Sequence, residues 1–248
     1  MKKNSFRNIL QTGEELIFPR RCPVCDEAVR IGDYLICMQC RTKLKLLGGL
    51  LCMKCGKPLN EKEEEYCFDC MKIKMSKDKE HFFIKGAALF EYNSVSAAIH
   101  RFKYGGRQEY AEFFGVAMAK YLGKEILTWH PDALIPVPIH SSKMRQRGYN
   151  QAQLLARVLG REINCPVRND IVIRTRKTVP QKDLNDEERQ NNLKKAFKLS
   201  GNDVKLNTIV IIDDIYTTGS TIDAMGYEFR RIGITQIYYV ALAIGRGL

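Results

Sequence analysis

From residue 85 onward the chain alternates short apolar runs with segments in which apolar residues recur every three or four positions. The apolar runs predict strands at 85–92, 132–138, 171–175, 207–213 and 236–244. The periodic segments predict helices at 94–103, 107–123, 149–163 and about 220–232. Strands that alternate with helices predict an α/β fold built on a parallel sheet. The β-branched run that ends at 213 is typical of a strand covered on both faces.

Two polar stretches interrupt this pattern. A basic loop is predicted at 139–148, and the tract 176–198 is predicted to contain a helix. Between 143 and 182 there are ten basic residues and two acidic ones, which favours an anion-binding face for pyrophosphate, DNA or both. An ordinary solvated surface is the alternative. The candidate contacts to nucleic acid are Lys143, Arg145, Arg174, Arg176 and Lys177.

The first part of the chain has a different pattern, because it is dominated by cysteine. Eight of the nine cysteines form four C-x2-C pairs, and the spacing of the pairs repeats with a period of 30 residues. The pairs are Cys22 and Cys25, Cys37 and Cys40, Cys52 and Cys55, and Cys67 and Cys70. The ninth, Cys165, stands alone and is expected to be a small core residue.

The paired cysteines indicate two structural zinc ions. Two C-x2-C turns close a tetrahedral shell of four sulfurs with no open position. Apolar residues are few between 22 and 70, so this region needs such a link in order to fold. Sequential sets (22, 25, 37, 40 and 52, 55, 67, 70) are the first choice, and interleaved sets remain open. Iron–sulfur clusters and redox-active pairs are weaker alternatives, because redox work needs only one pair.

Charge and hydropathy limit the class of protein and its location. The formal net charge is +12, and eight thiolates bound to two Zn²⁺ would lower it to about +8. A basic protein favours polyanionic partners such as nucleic acid or a polyphosphate. The opening segment lacks the apolar run of a signal peptide, and no apolar run is long enough to span a bilayer. We therefore expect a cytoplasmic protein without a membrane-spanning segment, in which the thiols are reduced or bound to metal.

Two adjacent carboxylates, Asp213 and Asp214, follow the most apolar predicted strand, and the hydroxyl-rich turn Thr217–Thr221 follows them. Ligands of open α/β sheets bind at the carboxyl ends of strands. Carboxylates accept hydrogen bonds from a sugar diol, and a turn at a helix N-terminus suits a phosphate. The segment therefore predicts a ribose-phosphate site. A Walker B strand is excluded because no G-x4-G-K-[ST] segment accompanies it, and the bland alternative is a capped helix after a strand.

The segment VIIDDIYTTGST (210–221) resembles the phosphoribosyl-pyrophosphate (PRPP) binding motif of type I phosphoribosyltransferases. Together with the cysteine pairs, HRFKYGGR (100–107), IPVPIHSSKMRQRGYNQAQLLA (135–156) and RTRKTVPQKDLNDEERQNNLKKAF (174–197), it resembles the ComF family of competence proteins, ComFC type. The resemblance covers almost the whole chain from Cys22. It implies a double zinc ribbon at 1–80 joined to a phosphoribosyltransferase-like domain at 81–248.

The resemblance also implies roles for particular residues. PRPP, carried with Mg²⁺, would be bound by seven residues of the acidic pair and the turn and by one arginine. These are Asp213, Asp214, Thr217, Thr218, Gly219, Ser220, Thr221 and Arg147. Asp213 and Asp214 would also be the catalytic residues if phosphoribosyl transfer occurs. Segment 138–148 takes the place of the pyrophosphate loop, but its usual glycine-rich form is absent here.

Two functions follow from the resemblance. The first is an accessory protein of DNA uptake that binds single-stranded DNA and PRPP or a related ribose phosphate, beside a helicase-like competence ATPase. The second is an active phosphoribosyltransferase that transfers phosphoribosyl from PRPP to a nitrogenous acceptor. The tract 174–197 holds no aromatic residue before Phe197 that could stack on a base, which favours the first. In a third interpretation, the zinc ribbons contact the DNA.

Overall fold

A computed structural model describes residues 19–29, 35–60, 65–77, 79–175, 196–200 and 205–245. The helices of these residues are α1 Met38–Lys43, α2 Phe68–Met75, α3 Tyr92–Tyr104, α4 Tyr110–Thr128, α5 Ser141–Arg147, α6 Gln151–Ile163 and α7 Ser220–Arg231. The strands are β1 Lys85–Glu91, β2 Ala133–Pro136, β3 Val172–Arg174, β4 Phe197–Leu199, β5 Thr208–Tyr216 and β6 Gln236–Ile244. No helix among the described residues is both long and apolar enough to cross a bilayer.

Four strands form a parallel sheet in the order β1-β6-β5-β2. The central strands β5 and β6 are nearly all apolar and are buried on both sides. Alternate residues of β5 face opposite cores: Val210 and Ile212 pack with α3, α4 and α6, whereas Ile209 and Ile211 pack with α7. The predicted α/β fold with a parallel sheet is thus confirmed, and its burial on both faces explains the absence of polar alternation in β5.

Three predicted elements differ from the structure. The helix predicted at 107–123 begins at Tyr110 and continues to Thr128, because its apolar positions recur through Ile126. The segment predicted as a basic loop contains α5, which His140 caps and Gly148 ends. Strand β5 runs on to Tyr216, three residues past its predicted end at 213, so both carboxylates lie inside the strand rather than after it.

A short antiparallel pair, β3 with β4, stands apart from the main sheet. It joins the two ends of the tract that was predicted to contain a helix. Residues 176–195 of that tract lie outside the described residues, so the predicted helix and the candidates Arg176 and Lys177 fall there.

The two cysteine groups pack against the rest of the chain in different ways. Cys52, Cys55, Cys67 and Cys70 belong to the same apolar cluster as the sheet and α7. Cys22 and Cys40 form a small cluster of their own, which touches Phe113 of α4. A division of the chain at residue 80 remains a proposal, since the second cysteine group shares a core with the residues that follow it.

The close approach of α4 and α6 depends on Gly115. A Cβ placed there would lie 2.5 Å from Cβ of Val158 on α6. We expect Gly115→Ala to lower the free energy of unfolding by about 1–3 kcal/mol, because overpacking forces the helices apart. Urea denaturation measures this change.

Gly123→Ala on the same helix is the matched control. Its Cβ would meet only Cγ2 of Ile163, at 3.1 Å, which a shift of a few tenths of an ångström relieves. Alanine also favours helix over glycine by up to about 1 kcal/mol, so this variant should be neutral or more stable. Equal losses in the two variants would contradict the packing argument.

Candidate functional site

The candidate pocket begins where β2 ends. Strand β2 pairs with β5 only as far as Pro136 opposite Ile212, whereas β6 stays paired with β5 up to Ile244 opposite Tyr216. Pro136 ends the strand, and the chain leaves the sheet at Val137 after one more hydrogen bond, from Val137 N–H to the Ile212 carbonyl (2.9 Å). One edge of β5 is therefore uncovered beyond Ile212, and Asp213 and Asp214 occupy that edge.

The Asp213 carboxyl group is in an environment that disfavours its charged form. Burial, and then the adjacent Asp214 carboxylate, raise the pKa of Asp213 to about 7. The positive charges of Lys103 and Arg174 act in the opposite direction. The Asp214 N–H donates to Oδ1 of Asp213 (2.8 Å), which fixes the orientation of the carboxyl group.

Asp214 pairs with Lys103, a residue that was not among the predicted site residues. The Lys103 Nζ lies 2.9 Å from Oδ2 of Asp214, and the two side chains are only 17% and 13% exposed. Lys103 is in the last turn of α3, which ends at Tyr104, immediately before the glycines at 105 and 106. The segment HRFKYGGR contributed to the family resemblance, but sequence alone did not link it to the acidic pair, 110 residues later.

Helix α5 directs two cations into the pocket and one away from it. Lys143 and Arg147 are four residues apart and both line the pocket, whereas Arg145 lies on the opposite, exposed face. Arg147 donates to Oε1 of Gln151 (3.1 Å) and to the hydroxyl of Tyr104 (3.0 Å), so its position is held. Of the predicted α5 residues, Lys143 and Arg147 are therefore placed in the site and Arg145 is not.

Arg174 at the end of β3 is the fourth cation of the pocket, and its guanidinium lies 5.3 Å from the centre of the Phe197 ring. Burial lowers the pKa of Lys143, and the nearby charges of Arg174, Arg147 and Lys103 lower it further. Four cations thus converge on one open pocket of about 310 Å³ that also contains the two carboxylates. Such a pocket is built for a ligand with several negative charges and some hydroxyl groups.

The turn between β5 and α7 forms the far end of the pocket. Thr217 and Thr221 line the main pocket, and Thr218, Gly219 and Ser220 line a small adjoining recess. The backbone N–H groups of residues 218–221 donate to no described residue, and no side chain from the described part of the chain caps α7. The recess therefore offers free donors and the positive end of a helix dipole, which is the usual environment of a bound phosphate.

Gly219 is required by the shape of this turn. Its φ is +85°, and a Cβ there would lie 2.6 Å from the Tyr216 hydroxyl oxygen. Any other residue would be strained in its backbone and would push Tyr216 away. The predicted turn residues are thus brought together beside Asp213, as the sequence spacing suggested.

His140 and Cys165 contribute to the structure rather than to the pocket. His140 accepts a hydrogen bond from Ser142 N–H and so starts α5, without lining the pocket. Cys165 is buried in the apolar cluster of α3, α4 and α6.

The cysteines form two groups of four that fit zinc. In each group the four sulfurs lie within 4.8 Å of one another, and the sets are the sequential ones. Sulfurs bound tetrahedrally at about 2.3 Å from one ion would be about 3.8 Å apart. The distances from Cys25 to Cys37 (3.8 Å) and from Cys55 to Cys67 (3.5 Å) match this value. Two structural zinc sites therefore follow, and bound zinc would fix the loops of each ribbon.

A model for a double zinc ribbon domain matches residues 14–71. Competence protein F of Haemophilus influenzae is 39% identical over 115 residues, which is 46% of this chain and 50% of that protein. The DNA utilization protein YhgH of Shigella flexneri is 34% identical over 150 residues, 58% of this chain and 64% of its own length. Competence protein ComFC of Bacillus subtilis is 28% identical over 140 residues, 54% of this chain and 53% of that protein.

The fold and the site together define a class of protein, a double zinc ribbon joined to an α/β fold whose parallel sheet carries a pocket lined by carboxylates and cations. Within that class the chain is similar to competence protein F, YhgH and ComFC. The matches span about half to two thirds of the length of these relatives.

Among solved structures, a hypoxanthine phosphoribosyltransferase from Staphylococcus aureus overlaps 55% of this chain and 64% of its own, at 13% identity and a TM-score of 0.33.

The raised pKa of Asp213 gives a prediction about pH. Between the ordinary carboxyl value of 3.8 and about 7, the folded protein retains a proton that the unfolded chain has lost. The contribution of this group to stability is therefore complete below pH 3.8 and is lost as the pH rises to 7. We expect the wild type to lose about 2–3 kcal/mol more than Asp213→Asn between pH 5 and 7.5 in urea denaturation. If the free energy of unfolding changed with pH in the same way in both proteins, the raised pKa of Asp213 would be contradicted.

The sequential cysteine sets give a second prediction. Cys22→Ser with Cys37→Ser damages one predicted site, so native mass spectrometry should find one zinc per chain instead of two. Cys22→Ser with Cys52→Ser damages both sites and should leave none. Interleaved sets joining the first pair to the third would reverse the two results.

Proposed function

We propose that this chain is an accessory protein of DNA uptake that binds PRPP, or a related ribose phosphate, in the pocket at the end of β5. The observation that carries the proposal is the pocket itself, in which two carboxylates and four cations converge beside a hydroxyl-rich turn. Three parts of such a ligand match three parts of this pocket.

The carboxylates match the hydroxyl groups of the sugar. Asp214 is held by Lys103, and Asp213 by the Asp214 N–H, so both have acceptor positions left for a ribose diol. Two adjacent carboxylates on a bare strand edge would only repel each other. A ligand that donates hydroxyl groups to both gives a physical reason for keeping them.

The cations match a pyrophosphate group. Lys103, Lys143, Arg147 and Arg174 face the same space, and their mutual repulsion is offset when a polyanion enters. Mg²⁺ carried by PRPP would be held by Asp213 and Asp214, the two carboxylates that line the pocket, and would offset part of the negative charge of the ligand.

The turn matches a phosphate monoester. The 5′-phosphate would be bound by three features of this turn. They are the N–H groups at 218–221 that donate to no described residue, the hydroxyl groups of Thr217 and Thr221, and the dipole of α7. Pocket and recess adjoin through residues that line both, among them Asp213, Thr217 and Thr221. A single ligand can therefore place its sugar at the carboxylates and its phosphate in the turn.

The role in competence is supported by the names of the relatives, two of which are competence proteins and one a DNA utilization protein. Single-stranded DNA and a helicase-like competence ATPase are the proposed partners. The exposed cation Arg145, on the face of α5 turned away from the pocket, would contact an anionic backbone in a way that does not depend on sequence.

The alternative is an active phosphoribosyltransferase that transfers phosphoribosyl from PRPP to a nitrogenous acceptor, with Asp213 and Asp214 as the catalytic pair. The same pocket serves both proposals. No aromatic side chain of the described residues lines the main pocket to stack on a base, which favours binding without transfer. Release of pyrophosphate from PRPP and Mg²⁺ on addition of a base would support the enzyme.

Titration calorimetry with PRPP and Mg²⁺ tests the ligand. We expect Asp213→Asn with Asp214→Asn to weaken binding at least about 100-fold, because the sugar loses two charged acceptors. Asp170→Asn is the matched control, since Asp170 is an exposed acid paired with Arg168 at 2.8 Å, outside the pocket. Its affinity should equal that of the wild type. Unchanged binding by the double variant would disprove the ribose-phosphate assignment.

The two faces of α5 separate ligand from DNA. We expect Lys143→Ala to weaken PRPP binding about tenfold, because one of four pocket cations is lost. Arg145→Ala should leave PRPP binding intact but weaken the binding of a short single strand, measured by fluorescence anisotropy. For this variant, the slope of the logarithm of the DNA-binding constant against the logarithm of the salt concentration should decrease in magnitude by about one, if Arg145 contacts one phosphate.

The control for DNA is Lys124→Ala, an exposed cation on α4 that does not line the pocket. It should leave the affinity for single-stranded DNA within about twofold of the wild type. Equal losses for Arg145 and Lys124 would show a diffuse electrostatic attraction rather than a face next to the pocket.

A further inference from the structure

The second cysteine group is linked by His81 to the turn at 217–221, which we call the phosphate turn. The Nε2 of His81 lies 3.6 Å from the sulfur of Cys70, and its Nδ1 lies 2.8 Å from Oδ2 of Asp223. Asp223 is in the first turn of α7, where its N–H donates to the Gly219 carbonyl (2.8 Å). One imidazole ring therefore joins a metal ligand to the helix that follows the turn.

This linkage is buried and its parts are held in place. The His81 side chain is only 4% exposed, and the ring packs against Phe83, with 4.6 Å between the ring centres. The other oxygen of Asp223 accepts a hydrogen bond from the Phe82 N–H (2.8 Å). A displaced ring would leave the partly buried Asp223 carboxylate short of a partner, which is unfavourable.

A second contact path runs parallel to the first. The hydroxyl of Tyr239 donates to the carbonyl of Cys55 (2.5 Å), and its ring stacks on that of Tyr216 at 4.4 Å. Tyr216 is the last residue of β5, and its hydroxyl lies against Gly219. Both paths therefore begin at ligands of the second cysteine group and end at the phosphate turn.

The first cysteine group has no such connection among the described residues. Its cluster is completed by Val29, Ile36 and the side chain of Phe113, on the opposite side of the sheet from α7. The first unit instead contacts α3 and the segment just before α4, where Arg101 donates to the Val24 carbonyl and Arg107 pairs with Asp26. The chain thus contains two copies of one metal-binding unit, of which only the second is linked to the turn at 217–221 among the described residues. This difference provides an internal control.

We propose that His81 is a positioning residue through which the second zinc site fixes the phosphate turn, so that zinc binding at Cys52, Cys55, Cys67 and Cys70 and ribose-phosphate binding strengthen each other. The proposal rests on the proposed function, since it takes the turn to be the phosphate site. Partners of metal ligands typically alter metal affinity tenfold to a hundredfold. Thermodynamic linkage requires the two effects to be equal in both directions.

The test measures zinc release and ligand binding separately. Wild type, His81→Asn and the control His130→Asn are mixed with a chromogenic zinc chelator, with and without ribose 5-phosphate, which needs no Mg²⁺. His130 is exposed, lies outside the pocket and has a φ of +50°, which asparagine tolerates. In the wild type and the control, the ligand should slow the release of one of the two zinc ions about tenfold.

In His81→Asn the same ion should leave faster, and the ligand should no longer slow its release. Calorimetry should find ribose 5-phosphate bound about tenfold more weakly, with two zinc ions still present by mass spectrometry. Cys40→Ser and Cys70→Ser extend the test, since they occupy equivalent places in the repeat. Loss of the first zinc should leave the affinity for ribose 5-phosphate within twofold of the wild-type value, whereas loss of the second zinc should lower that affinity at least tenfold.

The outcomes separate the two proposals. If the wild type binds neither ribose 5-phosphate nor PRPP, the proposed function fails, and the coupling fails with it. If the wild type binds the ligand but zinc release is the same with and without it, only the coupling is overturned. Should His81→Asn or Cys70→Ser not fold, the wild-type release rates decide, and Tyr239→Phe tests the second path with the loss of one hydroxyl.

Discussion

The unequal pairing of β5 with its two neighbours is the constraint on which the site depends. Because β2 stops at Pro136 while β6 continues, β5 remains held on one side and is open on the other. Two carboxylates can occupy that stretch with a rigid backbone beneath them and with access to solvent above. A longer β2 would cover the edge, and a shorter β6 would leave it without support.

Charge balance determines what surrounds the open edge. Burying Asp213 next to Asp214 is unfavourable unless cations are near. Residues of α3, α5 and the end of β3 provide those cations. These elements belong to different parts of the chain, so the pocket exists only in the folded state. The excess of four cations over two carboxylates leaves the pocket positive, in agreement with the net charge of the whole chain.

Much of this could be predicted from local sequence patterns. The four strands of the parallel sheet, the cysteine sets and the turn at Gly219 each depend on residues close together in the chain, and each was located from the sequence, although β5 continues to Tyr216. The short strand β4 was not predicted, because its pairing with β3 spans a long polar tract. Lys103 could not be predicted as a site residue, because its approach to Asp214 depends on the packing of α3 against β5. The folding of the basic loop as α5 was missed for a similar reason: its cap is a histidine, which is a rare capping residue.

The buried contacts of the second cysteine group were also beyond sequence reasoning. Nothing in the sequence around His81 connects it to Asp223, which is 142 positions away. Long-range pairs of this kind depend on tertiary packing, which a single sequence does not reveal. The 30-residue repeat suggested two equivalent units, whereas their surroundings make them unequal.

That inequality has a chemical consequence. All four cysteines of the second group are buried, whereas Cys25 of the first is exposed to solvent. Thiolates react with peroxides or electrophiles in proportion to their access to them. Under oxidative stress the first ribbon should be modified before the second, so damage would begin in the half of the duplicated unit that has no link to the turn at 217–221 among the described residues.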